Sequence, residues 1–369
     1  MILKKINNKP IKSLYVHIPY CDHVCFYCDF VKIIKPKNDA SIDNYLNLIE
    51  KELKSYQDKL NEIDSIYIGG GTPSCLNNLQ TIKLCEILSK YVNKQNFEFS
   101  IELNSESITE TKLKIYKFYK INRLSIGVQT FNNKLLAKIG RVHSRDEVIK
   151  KYELARKVGF KNINIDLMYN LFDQTAENIQ TDLKYIKKLA PDHISWYSLI
   201  MKDDSIWGKK KLKLPQNDEF FDEIINNGLT ELGYFRYEVS NYCLSGKKSI
   251  HNLTYWNNSL FVGIGLGASG FEQINGNYFL TKNTGTTLNF WKETETLTEE
   301  DYFFQILMMG LRLVEGINLL FEDNFKMYNF FKDKINIKIE NNLLEIKKHY
   351  LLCTKQGFDL LNEILIDFL

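Results

Sequence analysis

The sequence shows no strong excess of charge of either sign and no long apolar run. Its 369 residues include 48 Lys and Arg against 45 Asp and Glu, which gives a net charge of +3. Nucleic-acid binding usually depends on a concentrated positive surface, so this balance gives no reason to expect a nucleic-acid partner. No apolar stretch approaches the ~20 residues of a membrane-spanning helix, and no signal peptide precedes the first predicted strand. We therefore expect a cytoplasmic protein.

Cysteine is also scarce. The chain has seven cysteines, an odd number in a long sequence, which favours reduced thiols over a disulfide framework. Four of them, Cys75, Cys85, Cys243 and Cys353, are scattered, and we interpret them as ordinary thiols.

The other three cysteines lie in one loop, with the spacing Cys21-x3-Cys25-x2-Cys28, directly after a predicted strand at 14–18. A structural zinc site normally has four ligands, and no fourth cysteine or well-spaced histidine follows. A [4Fe-4S] cluster is usually held by four cysteines, so three leave one iron open for an exogenous ligand. The spacing indicates such a cluster; the alternative is that three thiols are clustered by chance.

The next part of the chain alternates strand and helix patterns. After the strand at 14–18 and a helix at 43–60, strands are predicted at 65–68, 97–103, 123–128, 162–167 and 193–199, with helices between them at 79–91, 109–119, 145–158 and 176–189. Six such units predict a parallel sheet with right-handed crossovers, either an open doubly wound sheet or an incomplete barrel. Polar residues at successive strand ends, Glu102, Gln129 and Asp166, favour a barrel, because barrel active sites gather there.

The chain is longer than one typical domain, and we divide it into a barrel at 1–215, an accessory region at 216–296 and a C-terminal domain at 297–369. A charged linker is predicted at 202–217, a helix at 218–232 and a strand at 234–239. Helices at 321–331 and 354–368 flank a strand pair near 343–352, which predicts a small winged-helix-like domain. The predicted fold class is therefore α/β, an incomplete (β/α)6 TIM-like barrel with a mixed accessory region and that appendage.

The cysteine loop resembles that of the radical S-adenosylmethionine (SAM) superfamily, in which an aromatic residue, here Tyr27, precedes the last cysteine. The resemblance implies that Cys21, Cys25 and Cys28 hold the cluster. It also implies that the open iron chelates SAM, that reduction cleaves SAM to a 5′-deoxyadenosyl radical, and that Tyr27 is a wall of the adenine site. The segment 69–73, Gly-Gly-Gly-Thr-Pro, resembles the superfamily's glycine motif, which receives the methionyl amino group.

More segments resemble the oxygen-independent coproporphyrinogen III oxidase family, over most of the chain. They are 15–19 (YVHIP), 68–73 (IGGGTP), 101–104 (IELN), 125–131 (SIGVQTF), 140–143 (GRVH) and 164–169 (NIDLMY). By this resemblance, the residues that contact SAM are Tyr15, Tyr27, Gly71, Thr72, Glu102, Gln129, Arg141 and Asp166.

Two features resemble the heme chaperone HemW branch of that family. Phe30 stands where the oxidases carry a further cysteine, and residues 251–256, HNLTYW, match the HNxxYW motif. In that branch the histidine is implicated in holding heme, and imidazole is a common heme ligand, so the resemblance makes His251 the heme ligand. Two departures are Leu171-Phe172-Asp173-Gln174 in place of Leu-Pro-Gly-Gln, and Ser269 in place of a second histidine. Without the resemblance, His251 would be interpreted as a buried core histidine.

The resemblance implies a heme chaperone with a [4Fe-4S] cluster and SAM, which transfers heme to acceptors such as respiratory enzymes. An electron donor such as flavodoxin or ferredoxin is implied as well, and a homodimer is plausible. The main alternative is an enzyme, an oxidoreductase of the coproporphyrinogen III dehydrogenase type. A third possibility is a radical SAM enzyme with another substrate, for which His251 would be irrelevant.

Overall fold

The computed structural model describes residues 9–92 and 95–369. The first part of the chain alternates strands and helices as the sequence predicts. In chain order these are β1 (Ser13–Ile18), β2 (Tyr20–Cys21), β3 (Ile33–Ile34), α1 (Asp39–Lys54), β4 (Ser65–Gly70), α2 (Asn78–Ser89), β5 (Glu98–Asn104), α3 (Glu110–Phe118), β6 (Arg123–Gln129), α4 (Asn133–Lys138), α5 (Arg145–Val158), β7 (Ile163–Tyr169), α6 (Ala176–Leu189) and β8 (His193–Ser198).

Six of these strands form the predicted parallel sheet, in the order β1-β4-β5-β6-β7-β8. The incomplete (β/α)6 barrel is thereby confirmed. The largest boundary error is in the first helix, which was predicted at 43–60. It begins earlier because the Asn38 side chain caps it by accepting a hydrogen bond from Ala40 N, and it ends at Lys54, before a short 3-10 turn.

The middle of the chain extends this sheet at both edges. Its elements are α7 (Ile206–Lys209), α8 (Asp218–Glu231), β9 (Phe235–Arg236), β10 (Asn241–Cys243), α9 (Ile250–Trp256), β11 (Phe261–Ile264), β12 (Ser269–Ile274), β13 (Asn277–Gly285) and β14 (Phe290–Thr296). Strands β11 to β14 continue from β1, and β10 and β9 continue from β8, which makes one twelve-stranded sheet. The predicted boundaries at 215 and 296 stay a prediction.

Two predictions in this region were wrong. The strand predicted at 234–239 has only two residues, because the chain turns at Tyr237, whose N–H donates to Asn241 O at 3.1 Å. The linker predicted at 202–217 contains α7, because Trp207 is buried against the ring of Phe26 in the cysteine loop, with 6.3 Å between centroids.

The last part of the chain forms helices around a small sheet. Its elements are α10 (Glu299–Gly310), β15 (Ile317–Asn318), α11 (Glu322–Phe330), α12 (Lys332–Glu340), β16 (Leu344–Lys347), β17 (Tyr350–Cys353), α13 (Lys355–Asp359) and α14 (Leu361–Ile366). The strands form an antiparallel sheet in the order β15-β17-β16, one strand more than predicted. The helix predicted at 354–368 is two short helices that meet at Leu360. Within the described residues, no helix is long and apolar enough to cross a membrane.

Candidate functional site

The six barrel strands alternate in character along their length. Apolar residues such as Leu14, Ile66 and Phe99 pack against the helices, whereas polar and aromatic residues face the lumen. The lumen-facing set is Ser13, Tyr15, Ser65, Tyr67, Glu98, Glu102, Arg123, Ser125, Asn164, Asp166, His193, Ser195 and Tyr197. Buried parallel strands usually carry apolar residues on both faces. This lumen is therefore suited to a polar ligand rather than to a packed apolar core.

The cysteine loop lies over the carboxyl ends of the strands. It is anchored through Phe26, whose N–H donates to Ile139 O and whose carbonyl accepts from Trp207 N, each at 3.1 Å. Gly140 leaves room for the Phe26 ring, which lies only 3.1 Å from the position that a Cβ would take. Backbone contacts to two later segments therefore hold the loop in place.

Two of the three cysteines of this loop contact the glycine segment and a buried arginine. Cys21 lies directly on Gly71, where a Cβ would be 2.8 Å from its Sγ, and it accepts a hydrogen bond from Thr72 Oγ1 at 3.4 Å. Arg141 Nη1 donates to Cys25 Sγ at 3.6 Å. Cys21 and Cys25 are buried and Cys28 is half-buried. The glycine is needed because any side chain would displace Cys21.

The charges around the loop favour one thiolate in particular. Burial raises the pKa of Cys25, but a hydrogen bond from His23 and the charge of Arg141 outweigh burial, so its net pKa is lowered. Burial raises the pKa of Cys21 to about 11 and also raises that of Cys28. Among the described residues, no three His, Cys, Asp or Glu side chains are grouped to hold a single metal ion. The three thiols fit a cluster, because each cysteine there binds a different iron.

The predicted SAM-binding residues fall into two groups. Tyr27, Gly71, Thr72, Gln129 and Arg141 lie at the level of the cysteine loop. Arg141 is held there by hydrogen bonds from its terminal nitrogens to the side-chain oxygen of Asn104 (3.1 Å) and to the carbonyl of Gly127 (3.0 Å). Its Nε has no hydrogen-bond partner among the described residues, which leaves one buried donor for a ligand.

Gln129 has an unusual backbone for a residue with a side chain. Its φ is +69° and the register with β7 shifts between Gly127 and Gln129. Positive φ costs of order 1 kcal/mol for such a residue and is concentrated at functional sites. This strain, located beside Arg141, supports a ligand-binding role for the end of β6.

Tyr15, Glu102 and Asp166 form the second group, deeper in the barrel. They line a cavity of about 220 Å³. The other residues that line it come from the cysteine loop, the barrel strands and α9: Phe30, Tyr67, Gly70, Arg123, Ser125, Asn164, Ser195, Tyr197, His251, Asn252 and Tyr255. The structure thus places the predicted site residues in two adjoining layers, the cysteine loop above and the cavity below.

Glu102 is the central acceptor of the cavity wall. Its carboxylate accepts hydrogen bonds from Tyr67 OH at 2.9 Å and from Gly70 N at 3.2 Å. Burial, followed by the charge of Asp166, nevertheless raises the pKa of Glu102 to about 7. A carboxyl group with this pKa can accept or donate a hydrogen bond near neutral pH.

The HNxxYW segment forms α9, which closes the amino ends of the strands. Glu98, the first residue of β5, accepts hydrogen bonds from the first groups of this helix, Ser249 Oγ (3.2 Å), Ile250 N (3.0 Å) and His251 N (3.1 Å). Thr254 Oγ1 lies 2.5 Å from Ser13 Oγ of β1. The helix is therefore fixed in the lumen by side chains that point inward from the strands.

His251 points from α9 into the floor of the cavity. Its ring stacks on Tyr67, with 5.0 Å between centroids. Its Nδ1 lies 2.9 Å from Ser65 Oγ and its Nε2 lies 2.6 Å from Tyr255 OH, so both nitrogens have partners. Burial and the charge of Arg123 lower the pKa of His251 to about 3, which keeps the imidazole neutral. The sequence prediction that it binds heme stays a prediction, and iron could reach Nε2 only if the Tyr255 hydroxyl moved away.

The sequence analysis missed several residues of the site, among them Glu98, Arg123 and Glu106. Glu98 holds α9, Arg123 lies at the cavity floor, and Glu106 lies 3.6 Å from Nδ1 of His23 in the cysteine loop. A signal for the first two was present, since Glu98-Phe99-Ser100-Ile101-Glu102 and Arg123-Leu124-Ser125 alternate polar and apolar residues. Both residues begin their strands, whereas the predicted site residues Glu102, Gln129 and Asp166 lie toward the strands' carboxyl ends.

Two family models match the chain. The radical SAM superfamily model matches residues 15–186, and the HemN C-terminal domain model matches residues 297–360. The first covers the cysteine loop and the strands up to β7, and the second covers most of the C-terminal helices and strands.

Several curated proteins are similar over nearly the whole chain. The heme chaperone HemW of Lactococcus lactis is 35% identical over 375 residues, which cover 97% of each chain. The heme chaperone HemW of Bacillus subtilis is 34% identical, over 97% of this chain and 99% of that protein. Among solved structures, the coproporphyrinogen III oxidase HemN of Escherichia coli superposes with a TM-score of 0.81, over 98% of this chain and 90% of that one. Its identity is 22%, so this likeness concerns the fold.

Proposed function

The chain belongs to the radical SAM superfamily and, within it, to the family of the heme chaperone HemW, and on that premise we propose that it binds heme and transfers it to acceptor hemoproteins. The observation that carries the proposal is similarity at 35% identity over 97% of the length of a protein named for this function. The complete cysteine loop and the intact HNxxYW helix, both at one lumen, support it.

The residues at the carboxyl ends of the strands fit the cofactors that the superfamily implies. Cys21, Cys25 and Cys28 would hold a [4Fe-4S] cluster, whose fourth iron takes SAM. When bound and reduced, such a cluster supplies the electron that cleaves SAM. The chain's own contribution is to hold both groups: Arg141 stabilises the Cys25 thiolate, and Glu102 supplies carboxylate oxygens for polar groups of SAM.

The other residues proposed to contact SAM lie at the level of the cysteine loop and in the cavity below it. Gly71 keeps the backbone close to Cys21, and Thr72 Oγ1 donates to its sulfur. Tyr27 packs beside the Trp207 cluster as a wall, Gln129 lies at the strained end of β6, and the full proposed set is Tyr15, Tyr27, Gly71, Thr72, Glu102, Gln129, Arg141 and Asp166.

His251 is the proposed axial ligand of heme. A neutral imidazole is the form that binds iron, and the low pKa of His251 keeps it neutral throughout the physiological range. Ligation by Nε2 requires the Tyr255 hydroxyl, now 2.6 Å away, to leave. We therefore expect the loss of the Tyr255 hydroxyl to leave heme binding intact or to strengthen it.

The test is an anaerobic hemin titration of the cluster-reconstituted protein, followed by Soret absorbance. We expect stoichiometric binding by the wild type, binding weakened at least tenfold in His251→Ala, and no weakening in Tyr255→Phe. His349→Ala, in the C-terminal sheet region, is the matched control and should bind as the wild type does. Heme affinity that is the same in His251→Ala would exclude His251 as the ligand, and absence of binding would exclude the chaperone function.

The protein's partners, location and oligomeric state are proposed from the same family. The acceptors are hemoproteins such as respiratory enzymes, the electron donor is a flavodoxin or ferredoxin, and the location is cytoplasmic. A homodimer is also proposed. Co-purification with acceptors and sedimentation analysis test these points.

A second candidate function is oxidative decarboxylation of coproporphyrinogen III. It is favoured by the polar cavity directly below the cysteine loop, which has the chemistry of an enzyme active site. The side chain of Phe30 argues against it, because Phe30 lines this cavity where the resemblance would place a further cysteine in the oxidases. Anaerobic incubation with coproporphyrinogen III, SAM and reductant would yield protoporphyrinogen IX if the enzyme function holds.

A further inference from the structure

The cavity floor carries a single cation among aromatic and hydroxyl side chains. Arg123, the first residue of β6, is 2% exposed and lines the cavity. On one side are the rings of Tyr15, Tyr67 and His251, with 5.0 Å between the last two. The mouth of the cavity is bordered by Phe30 and Tyr197, which are 66% and 41% exposed. An aromatic wall above one buried cation, in a cavity otherwise lined by polar side chains, fits a flat ligand that carries an acidic group.

The guanidinium of Arg123 is not fully paired by the protein. Its Nε has no hydrogen-bond partner among the described residues, and the nearest carboxylate oxygen in an ion pair, Oε2 of Glu98, is 3.9 Å away. That carboxylate already accepts three hydrogen bonds from Ser249, Ile250 and His251. A buried charged donor without a partner is costly, so it calls for a ligand or water.

The other carboxylates near Arg123 are also occupied. Glu102 accepts from Tyr67 and from the Gly70 N–H. Asp166 accepts from Ser125 Oγ and from Asn164 Nδ2 at 2.6 Å. Arg123 Nε therefore lacks a hydrogen-bond partner among the described residues, although three acidic residues lie near it.

Arg123 lies at the end of β6 away from the cysteine loop, although it shares the cavity with Tyr15, Glu102 and Asp166 of the proposed SAM set. Arg123 begins β6 and Gln129 ends it beside the cysteine loop, so six residue steps separate them, about 20 Å along the strand. The expected ligand is thus a second molecule, which enters from the carboxyl ends because α9 closes the amino ends.

We propose that Arg123 anchors a propionate carboxylate of the tetrapyrrole cargo at the cavity floor. This inference rests on the proposed function and deepens it. The carboxylate accepts hydrogen bonds from the guanidinium N–H groups of Arg123, and the macrocycle lies beside Tyr67 with one face toward His251, its proposed axial ligand. Because the contact involves no iron, it applies to metal-free porphyrin as well as to heme.

The test compares protoporphyrin IX with its dimethyl ester, in which both carboxylates are masked. Binding is followed by quenching of porphyrin fluorescence, with the wild type, Arg123→Gln and a control, Arg156→Gln. Arg156 pairs with Asp192 outside the lumen. We expect the wild type and the control to prefer the free acid by about tenfold to a hundredfold, and Arg123→Gln to bind both forms equally. Arg123→Lys keeps the charge and should retain part of the preference.

Equal binding of acid and ester by the wild type overturns the proposal, as does a preference that persists in Arg123→Gln. If Arg123→Gln does not fold, the wild-type comparison together with Arg123→Lys decides the matter. A parallel hemin titration separates the two claims: hemin binding without a preference for the free acid refutes only the anchor, and no binding of any tetrapyrrole refutes both.

Discussion

The two ends of the barrel strands are built on different principles, although the same strands supply both. The carboxyl ends carry loops with strained or side-chain-free backbone, such as Gly70 (φ +121°) and Gln129 (φ +69°). The amino ends are closed by α9, which is held by hydrogen bonds with Ser13 and Ser65 and by N–H groups that donate to Glu98. The carboxyl ends are therefore shaped to receive ligands, and the amino ends to seal the lumen.

The largest effect is expected at the carboxyl ends, in Cys25→Ser. Serine does not replace the thiolate that Arg141 stabilises, so we expect iron and sulfide content and visible absorption to fall to background after anaerobic reconstitution. The control is Cys353→Ser, in the C-terminal sheet, which should retain a full cluster. A full cluster in Cys25→Ser would mean that the ligands are misassigned.

A substitution at the amino ends should affect stability but leave the cluster intact. In Glu98→Gln one carboxylate oxygen becomes an N–H donor, which faces the N–H groups of α9 and the Arg123 cation. We expect the free energy of unfolding to fall by about 2–4 kcal/mol, measured by urea denaturation, with unchanged iron content. Glu110→Gln, on an exposed helix surface, should leave the free energy of unfolding nearly unchanged. Loss of the cluster in Glu98→Gln would show that the two ends are coupled.

The cavity between the two ends should show a pH dependence that comes from Glu102. Its pKa is about 7 in the folded chain and about 4.3 when unfolded, so between these values the folded state binds more protons. Stability therefore falls as pH rises through this range. In the protein without SAM, wild-type stability should decline relative to Glu102→Gln between about pH 4.5 and about pH 7.5, followed by thermal unfolding. If the stability of the wild type and of Glu102→Gln changes with pH in parallel, the raised pKa of Glu102 is contradicted.

The smallest effects come from a matched pair of threonines, one at each end. Thr254→Val removes the hydrogen bond to Ser13 and should cost about 1 kcal/mol of stability without changing the cluster. Thr72→Val removes the hydrogen bond to Cys21 Sγ and should make the reduction potential of the cluster more negative, because such bonds stabilise the reduced form. Urea denaturation measures the stability change expected in Thr254→Val, and electrochemistry measures the change in reduction potential expected in Thr72→Val. The comparison fails if both variants shift the potential.

The carboxyl-end site was largely predictable from the sequence because its signals are local. The spacing of Cys21, Cys25 and Cys28 is readable within eight residues, and the glycine segment follows a recognisable strand. The amino-end closure was not predicted, since nothing in residues 251–256 indicates which strands they contact. The polar lumen has a signal in the sequence, a period-two alternation of polar and apolar residues in β5 and β6, but that pattern is more typical of antiparallel strands with one solvated face.

The sequence by itself determined the order of strands and helices, the cysteine spacing and the family, because these depend on residues close together in the chain. Only the tertiary structure decided where His251 lies and what it contacts. The hydrogen bond between His251 and Ser65 joins residues 186 positions apart, and the one between Thr254 and Ser13 spans 241 positions. No local periodicity encodes such pairings. They arise when the sheet curves into a partial barrel and brings the amino ends of β1, β4 and β5 around one helix.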